Sequence, residues 1–271
     1  MINAIIVGAG GRMGRMVVNA IQNSGGITCQ GAVEAAGHPF LGQDVGVVAG
    51  SGELGVRIED NLKSVIQHGD VIIDFTSAEA SLGNMEVAAQ YQKPMVVGST
   101  GFSPEQMEEV RRLTKEMPCV LSPNMSVGVN LMFRIVEEVA RVLGQDYDVE
   151  IVEAHHRLKK DAPSGTAMRL GEVIARALGR DLEKVGVYAR KGMIGERTNE
   201  EIGIQTIRAG DIVGEHTVIF GGIGERMEVV HRAHTRDTFA RGAVRAAKWV
   251  VGQKPGLYDM GDVLGFKGAG S

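Results

Sequence analysis

One segment, residues 153–167, combines more residue types able to do chemistry than any other part of the chain. Two histidines and three basic residues precede a Ser-Gly-Thr sequence: His155, His156, Arg157, Lys159, Lys160, Ser164, Gly165 and Thr166. The Ser-Gly-Thr sequence is typical of a helix start, where the first backbone N–H groups have no partner inside the helix. A titratable imidazole, fixed cations and unpaired N–H donors together favour binding of a small anion and proton transfer to it.

Two predicted elements hold this segment. Residues 148–153 form an apolar, strand-like stretch before it, and residues 168–178 have the spacing of an amphipathic helix after it. Adjacent side chains of a strand point to opposite faces, so at most one of His155 and His156 faces a reacting group. Each basic residue alone would suit an exposed surface, and Ser164 alone would suit a simple helix cap. Their convergence favours a site, and the absence of cysteine and of His-x-x-x-His spacing here argues against a metal.

A glycine-rich turn directly follows the first predicted strand and opens the first predicted helix. It consists of Gly8, Ala9, Gly10, Gly11, Arg12, Met13 and Gly14. Glycines here allow a sharp turn, close approach of the backbone to a pyrophosphate and tight helix packing, and the helix N-terminus favours the negative charge. The spacing departs from strict G-x-G-x-x-G because residue 13 is Met, so this turn alone is a weak signal for a dinucleotide.

Glu34 strengthens the dinucleotide interpretation. It ends the second predicted strand, twenty residues after Gly14, where an acidic side chain accepts hydrogen bonds from the adenosine ribose. Ala35 and Ala36 follow, so no arginine stands beside the carboxylate to pair with a 2′-phosphate, and Arg12 is the only nearby candidate. We therefore expect NADH to be favoured, with NADPH possible. The competing interpretation is an exposed glutamate at a strand end.

Two further loops follow predicted strands at the edge where open parallel sheets bind ligands. They contribute Gly98, Ser99 and Thr100 after one strand, and Ser122, Pro123, Asn124 and Met125 after the next. We expect these residues to line the nicotinamide. For any single one of them, ordinary strand-to-helix turn chemistry explains Ser, Gly and Pro equally well.

The first half alternates short buried strands with helical patterns, which predicts an α/β fold with a Rossmann-like, doubly wound parallel sheet. The predicted strands are residues 4–7, 28–33, 71–75, 95–98 and 119–122, and the predicted helices are residues 12–23, 79–91 and 104–117. Residues 42–55 are glycine-rich and weakly patterned, which predicts a mobile loop.

The second half begins with a long predicted helix at residues 128–143. Extended runs follow at residues 203–209, 216–221 and 227–233. Few helices separate these runs, which predicts a second α+β domain with an open mixed sheet. A last helix at residues 237–251 is expected to return to the first domain. We therefore assign residues 1–126 and 236–271 to a dinucleotide-binding domain, and residues 127–235 to a substrate-binding domain.

The composition limits the class of protein. A formal net charge of −4 and an aromatic content of 4% argue against nucleic-acid binding, which uses basic surfaces and stacking side chains. No stretch approaches the ~18 apolar residues of a membrane span, and residues 1–7 lack the basic start of a signal peptide. Cys29 and Cys119 fall in predicted strands and are expected to be small core residues. We expect a cytoplasmic protein that binds neither nucleic acid nor membranes.

Taken together, these motifs resemble those of the 4-hydroxy-tetrahydrodipicolinate reductase family, also called dihydrodipicolinate reductases. The resemblance rests on residues 8–14, 74–76, 98–101, 153–156 with Lys159, 161–167, 234–240 and 255–260. It extends over essentially the whole chain, and the histidine-lysine-Ser-Gly-Thr segment is its most diagnostic part.

The resemblance implies reduction of a cyclic dicarboxylate, (2S,4S)-4-hydroxy-2,3,4,5-tetrahydrodipicolinate, with NADH or NADPH on the diaminopimelate route to lysine. It also implies a homotetramer built through the sheet of the second domain. By position, His155 would be the acid/base and Lys159 the proton donor. The residues that bind the substrate carboxylates would be His156, Ser164, Gly165 and Thr166. Closure of the two domains is expected to bring cofactor and substrate together.

Two departures from the family pattern favour NADH over NADPH. Ala35 stands where many relatives carry a basic residue, and Ser77 stands where some carry arginine. Two alternatives are compatible with the sequence: another nicotinamide-dependent reductase of the aspartate pathway, and a non-catalytic nucleotide-sensing protein. A semialdehyde dehydrogenase requires a nucleophilic cysteine, and Cys119, inside a predicted strand, is poorly suited to that role. A sensor has no need of the segment at residues 153–167.

Overall fold

Apolar, β-branched runs of the sequence form the strands of two separate sheets in the computed structural model, which describes residues 1–266. The chain divides into a first unit, Met1–Val127 with Asp237–Ser271, and a second unit, Gly128–Arg236. Residues 267–271, which the sequence analysis assigns to the first domain, lie outside the described residues. The assignment of cofactor and substrate binding to these units stays a prediction.

The strands are, in chain order, β1 (Ile2–Val7), β2 (Ile27–Val33), β3 (Ile58–Glu59), β4 (Val71–Asp74), β5 (Met95–Val97), β6 (Pro118–Leu121), β7 (Asp148–His155), β8 (Gly186–Val187), β9 (Ile202–Arg208), β10 (Gly214–Gly221), β11 (Arg226–Ala233) and β12 (Gly256–Tyr258). The α-helices are α1 (Arg12–Gln22), α2 (Val45–Ala49), α3 (Leu62–Val65), α4 (Ala78–Gln90), α5 (Pro104–Leu113), α6 (Val127–Leu143), α7 (Gly165–Ala177), α8 (Leu182–Val185), α9 (Asp237–Val250) and α10 (Met260–Val263).

The first unit is built on a seven-stranded parallel sheet in the order β12-β6-β5-β4-β1-β2-β3. Strand β4 is buried along its whole length, because helices cover both faces of the sheet. One face packs against Val17 of α1 and Ala243 of α9, and the other packs against Met85 of α4 and Leu113 of α5. This arrangement confirms the predicted doubly wound parallel sheet.

The chain order reverses between the neighbouring strands β1 and β4. Strands β2 and β3 continue on one side of β1, whereas β4, β5 and β6 continue on the other side. At such a switch point the loops that follow two adjacent strands diverge and leave a crevice where ligands bind. Residues 8–11 after β1 and residues 75–77 after β4 flank this crevice.

The second unit packs α6 and α7 against a five-stranded mixed sheet in the order β11-β10-β7-β9-β8. Strand β7 pairs antiparallel with β10 and parallel with β9, which confirms the predicted mixed sheet. Alternate residues of β7, namely Val149, Ile151 and Glu153, are buried. Glu153 thus takes a position that the alternation of the strand reserves for an apolar side chain.

Residues 42–55 are not the loop without secondary structure that their weak pattern predicted. Helix α2 lies within them, and the Asp44 carboxylate accepts the N–H groups of Gly46, Val47, Leu54 and Val56 at 2.8–3.1 Å. The Asp44 side chain therefore holds this segment in place. Hydrophobic periodicity cannot predict a segment that is held by the hydrogen bonds of one polar side chain. Hydrophobic periodicity also did not predict six short elements, because elements of two to four residues are too short to show a period: β3, β8, β12, α3, α8 and α10.

Cys29 in β2 and Cys119 in β6 are free and buried, which confirms their prediction as core residues. Burial raises the pKa of Cys29 to about 12 and raises the pKa of Cys119 as well, so neither thiol ionises near neutral pH. No helix in the described part of the chain is long and apolar enough to cross a membrane. Residues 1–266 also contain no group of three or more His, Cys, Asp or Glu side chains arranged to hold a metal ion.

Candidate functional site

The glycine turn connects β1 to α1 at the crevice of the first sheet. A Cβ at Gly14 would lie 2.1 Å from the carbonyl oxygen of Gly8, so only glycine permits this contact between turn and helix. Gly11 is the N-cap residue of α1 and makes no side-chain hydrogen bond. The first N–H groups of the helix, at Arg12 and Met13, therefore lack a side-chain cap. Such a helix start suits a phosphate group.

Glu34 follows β2 and reaches this turn. Its Oε2 atom accepts the N–H of Gly10 at 2.9 Å, and its Oε1 atom accepts the N–H of Ala35 at 3.1 Å. The N–H of Ala9 donates to the carbonyl oxygen of the last residue of β2, also at 3.1 Å, which joins the turn to the same strand end. The carboxylate is thus held beside the glycine turn at the end of β2, and its binding of a ribose stays a prediction.

Asp74, at the end of β4, is fully buried and connects the loops that follow β4 and β5. Its carboxylate accepts the N–H of Thr76 at 2.8 Å, the hydroxyl of Thr76 at 2.6 Å and the amide of Asn84 at 2.8 Å. The hydroxyl of Ser81 donates to Ser99 Oγ at 2.8 Å and lies 3.3 Å from the Thr76 hydroxyl. Burial raises the pKa of Asp74, and these hydrogen bonds oppose the increase.

The loop after β5 has direct packing contacts with the loop after β4. A Cβ at Gly98 would lie 2.1 Å from Cε1 of Phe75, so the Phe75 ring can pack here only because residue 98 has no side chain. A Cβ at Gly8 would lie 3.1 Å from Cγ2 of Thr76, which extends the contact to the glycine turn. Thr100 is exposed in the middle of the same loop, which extends to the start of α5.

The loop after β6 is held by its own side chains. Ser122 Oγ donates to the carbonyl oxygen of Asn124, and Asn124 Oδ1 accepts the N–H of Ser126, both at 2.9 Å. Pro123 is exposed and Met125 is buried. This loop lies at the carboxyl end of β6, at the same edge of the sheet as the glycine turn.

In the second unit, the fully buried carboxylate of Glu153 joins the most reactive parts of the segment at residues 153–167. One of its oxygens accepts the N–H of Ser164 at 2.9 Å, and the other lies 2.6 Å from Nδ1 of His155. Arg208 donates to both oxygens at 2.8 and 2.9 Å, and the Thr206 hydroxyl adds a bond of 3.3 Å. Burial alone would raise the pKa of Glu153, but the hydrogen bonds from Arg208, His155 and Ser164 lower it below its ordinary value.

His155 ends β7, and its ring packs edge-on against the ring of His216, with 5.3 Å between centroids. A Cβ at Gly214 would lie 3.1 Å from Nε2 of His155, so any other residue at position 214 would crowd this ring atom. Partial burial lowers the pKa of His155, the hydrogen bond with Glu153 opposes that change, and the nearby charge of Lys159 lowers the pKa further. The imidazole is therefore neutral near neutral pH.

Ser164 caps α7 and binds a second histidine. Its Oγ atom accepts the N–H of Ala167 and lies next to Nε2 of His216, both at 3.2 Å. Burial, and next the neighbouring His155, lowers the pKa of His216 to about 3, so this ring is also neutral. Gly165 and Thr166 form the first turn of α7, and a Cβ at Gly165 would meet nothing within 4 Å.

Lys159 and His156 lie on the loop between β7 and α7. The ammonium of Lys159 lies 2.9 Å from a carboxylate oxygen of Asp161. His156 faces Arg236, with 3.4 Å between its Nε2 atom and Nη2 of the guanidinium. The structure thus joins His155 to Ser164 through one carboxylate, whereas Lys159 and His156 each have a separate partner.

Sequence reasoning gave no role to several residues that hold these sites: Asp74, Asn84, Glu153, Arg208, His216 and Arg236. Glu153 and His216 could have been found from the sequence, because they occupy inward-facing positions of alternating strands, where a polar side chain is unusual. The contribution of Arg208 could not have been found in this way, since it depends on the pairing of β7 with β9.

Comparison with known proteins agrees with this arrangement. Residues 2–125 match the family model described as dihydrodipicolinate reductase, N-terminus, and residues 128–264 match the model described as dihydrodipicolinate reductase, C-terminus. The chain belongs to the dihydrodipicolinate reductase family. As a member of this family it is an NAD(P)H-dependent oxidoreductase.

Relatives of known name match the chain along its length. It is 60% identical over 267 residues to the 4-hydroxy-tetrahydrodipicolinate reductase of Syntrophus aciditrophicus, which covers 98% of this chain and 100% of the relative. It is 58% identical, with the same coverage, to the enzyme of that name from Citrifermentans bemidjiense.

Solved structures share the fold. A dipicolinate-bound dihydrodipicolinate reductase from Paenisporosarcina sp. TG-14 superposes with a TM-score of 0.77 and 24% identity, over 96% of this chain and 97% of that chain. An amine dehydrogenase from Mycobacterium smegmatis superposes with a TM-score of 0.58 and 16% identity, over 94% of each chain.

The residues of the first unit fit the nicotinamide dinucleotide that the family uses. The uncapped start of α1 suits a pyrophosphate, and Gly14 and Gly8 make the close backbone contact that such a turn requires. Glu34 lies at the position of a ribose acceptor, already bonded to Gly10 of the turn. Ser99 and Ser122 stand at strand ends of the same sheet edge.

Proposed function

We propose that this chain is a 4-hydroxy-tetrahydrodipicolinate reductase, which reduces (2S,4S)-4-hydroxy-2,3,4,5-tetrahydrodipicolinate to tetrahydrodipicolinate on the diaminopimelate route to lysine. The observation that carries the proposal is that His155 and the start of α7 share one buried carboxylate, Glu153. A group able to exchange protons therefore lies beside N–H donors suited to a carboxylate ligand. Relatives with this activity in their name are 58–60% identical over nearly the whole chain.

Loss of the carbon 4 hydroxyl group as water, together with a proton from carbon 5, leaves an unsaturated ring, and the reduced nicotinamide, when bound, would supply a hydride to carbon 4 of that ring. The chain supplies the proton that the neighbouring ring carbon requires. We assign its donation to the ammonium of Lys159, and we assign to His155 the role of acid/base. General acid catalysis of this kind contributes roughly 10²–10⁴-fold to the rate.

Binding of the two substrate carboxylates is assigned to the first turn of α7 and to His156. Ser164, Gly165 and Thr166 present this helix start, whose dipole favours negative charge. Gly165 leaves room for a ligand, because a Cβ there would meet nothing within 4 Å. His156 lies beside the guanidinium of Arg236, which adds a fixed positive charge.

A matched set of variants tests the assignment of the proton-transfer residues. His155→Gln and Lys159→Ala should each lower kcat by about 10²-fold or more, measured with freshly generated substrate. NADH affinity should be unchanged, since the residues assigned to the cofactor lie in the first unit. Lys160→Ala, at the adjacent exposed lysine, is the control and should keep wild-type turnover. Wild-type turnover in His155→Gln would defeat the assignment of His155.

NADH is proposed as the favoured cofactor and NADPH as a weaker one. The Glu34 carboxylate is fixed by hydrogen bonds from Gly10 and Ala35, so it cannot easily turn away from a 2′-phosphate. The carboxylate would repel a 2′-phosphate bound beside it, and the next two residues, Ala35 and Ala36, carry no positive charge to pair with that phosphate. Calorimetric titration of each cofactor into the protein measures the preference. Tighter binding of NADPH would refute it.

A homotetramer is proposed from the open face of the second sheet. Ile207 and Val230 are 46% and 41% exposed on the face of this sheet that α6 and α7 do not cover, and Val152 and Ile219 are half-buried on the same face. Exposed apolar clusters of this kind are unusual on a monomer. Light scattering coupled to size exclusion should give four times the 28.9 kDa mass of the chain. A monomeric mass would contradict the proposal.

A cytoplasmic location is proposed from the two free cysteines. Cys29 and Cys119 lie on different strands, both buried, with no disulfide between them. Proteins of oxidising compartments more often use cysteines in disulfides. Cell fractionation with an antibody against the chain tests the location, and recovery outside the cytoplasmic fraction would refute it.

A further inference from the structure

A buried charge at the centre of the second site takes no part in the proton transfers or carboxylate binding assigned above. Glu153 has 0% exposure, and an isolated carboxylate at such a position would be strongly destabilising. Its surroundings offset this cost through donors from Ser164, Thr206 and Arg208, together with the ring of His155. The carboxylate is therefore held in one orientation by its neighbours.

The bond with Glu153 decides which nitrogen of His155 carries the proton. An ionised carboxylate only accepts hydrogen bonds, so Nδ1 must be the donor across the 2.6 Å contact. In the neutral ring the lone pair then lies on Nε2. This is also the ring atom beside Gly214, where a Cβ would lie 3.1 Å away. Nε2 is thus unprotonated, and residue 214 has no side chain to crowd it.

Arg208 connects the same carboxylate to the lysine loop. Besides its two bonds to Glu153, its Nη2 atom donates to the carbonyl oxygen of Asp161 at 2.6 Å. The Asp161 carboxylate pairs with Lys159 at 2.9 Å. The side chains assigned to proton transfer, His155 and Lys159, are therefore both attached to one ionic cluster.

The geometry points to Glu153, locked by Arg208, as a positioning residue that sets the tautomer and orientation of His155. Through the N–H of Ser164 it also fixes the start of α7 relative to that ring. This inference rests on the proposed function, in which His155 exchanges protons with the substrate. Glu153 itself does not touch the substrate; it acts through His155.

The charges around His155 determine how its titration responds to a change at residue 153. The titratable or charged groups that surround the ring come from its own strand, the following loop, the neighbouring strands β9 and β10, and β11 beyond β10: Glu153, Lys159, Asp161, Arg208, His216 and, behind His216, His231. The carboxylate of Glu153 favours the imidazolium, whereas Lys159 and Arg208 disfavour it. Removing the carboxylate therefore moves the titration of His155 to lower pH.

The test compares two substitutions of the same type on one strand. Glu153→Gln should lower kcat on the order of 10²–10⁴-fold, as when another catalytic histidine loses its orienting carboxylate, and should move the His155 limb of the pH–kcat/KM profile to lower pH. Glu150→Gln is the control, because Glu150 is also on β7 and its carboxylate also accepts hydrogen bonds from arginine, here Arg190 and Arg197, but it does not contact His155. It should keep wild-type kcat and pH profile. If Glu153→Gln matched Glu150→Gln in both measurements, the inference would be overturned.

A second pair of variants covers the case in which Glu153→Gln does not fold, which circular dichroism and NADH titration reveal. Gly214→Ala would place a methyl group 3.1 Å from Nε2 of His155, and it should lower kcat on the order of tenfold or more. Gly221→Ala, at the other end of β10, adds a Cβ with nothing within 4 Å and should keep wild-type kcat. Wild-type kcat in Gly214→Ala would show that Nε2 is not the working atom and would overturn the inference.

The result with His155→Gln distinguishes failure of the proposed function from failure of the positioning role of Glu153. If that variant keeps wild-type turnover, the assignment of His155 in the proposed function fails. If it loses turnover while Glu153→Gln and Gly214→Ala do not, the proposed function stands and the positioning role of Glu153 fails.

Discussion

Replacing His216 by glutamine should make the stability of the second unit less sensitive to acid. His216 is 4% exposed, and burial lowers its pKa to about 3 from the ordinary value of 6.5. On unfolding, the side chain regains its ordinary pKa. Between these two values the unfolded chain binds a proton that the folded chain does not bind. The free energy of unfolding therefore decreases as the pH falls below about 6.5, and this contribution is fully present only above that pH.

The size of the effect follows from the two pKa values. For one group with this shift, a change from about pH 7 to about pH 5 removes about 2 kcal/mol from the free energy of unfolding. In His216→Gln the new amide can still bond Ser164 Oγ, which lies 3.2 Å from Nε2 of the histidine. Glutamine does not titrate. The variant should therefore lose about 2 kcal/mol less than the wild type over the same pH interval.

Urea unfolding followed by circular dichroism at the two pH values measures this difference. His234→Gln is the control, because it makes the same substitution at an exposed position of the same unit. The control should show the pH sensitivity of the wild type. If His216→Gln lost as much stability on acidification as the wild type, burial would not hold His216 neutral, and the reasoning would be refuted.

Two further substitutions test the first unit. Gly14→Ala should abolish measurable NADH binding in calorimetry, because a Cβ would lie 2.1 Å from the carbonyl oxygen of Gly8; Gly83→Ala, with nothing within 4 Å of its Cβ, should bind NADH as the wild type does. Equal affinity in both variants would contradict the proposed tight contact. Asp44→Ala removes the acceptor of four backbone N–H groups and should lower the free energy of unfolding by about 1–2 kcal/mol or more. Asp181→Ala removes the acceptor of one such bond and should lower the free energy of unfolding less than Asp44→Ala does. Thermal unfolding of both variants checks this order. An equal decrease in melting temperature would argue against Asp44 as the residue that organises its segment.

Local patterns of the sequence predicted the parts of this protein that depend on local physics. Buried apolar runs that alternate with helical patterns predicted the parallel sheet. A strand that is covered on both faces needs apolar side chains on both faces, and this requirement is visible in the strand residues themselves. The glycine turn could be predicted for a similar reason, because the close backbone contact at Gly14 permits no residue with a Cβ. The Ser-Gly-Thr helix start could also be predicted, because capping involves neighbours in the chain.

Organisers that act across the chain were not predicted. Asp44 bonds residues up to twelve positions away, and Asp74 connects the loops of two strands through Thr76, Ser81 and Ser99. Neither aspartate belongs to a periodic pattern. Each aspartate acts on N–H and hydroxyl groups that the folded backbone brings to it. The order of residues in a short stretch of sequence does not show which groups these are.

The residues 153–167 show where the two kinds of information divide. Their composition determined by itself that a histidine, cations and a helix start lie together, because covalent connection keeps them close. Only the tertiary structure decided how they are joined, since the pairing of β7 with β9 and β10 sets Thr206 and His216 opposite Glu153. The register of β7 with β9, two strands from distant parts of the chain, places Thr206 and Arg208 as donors to one carboxylate, which in turn fixes the proton on His155.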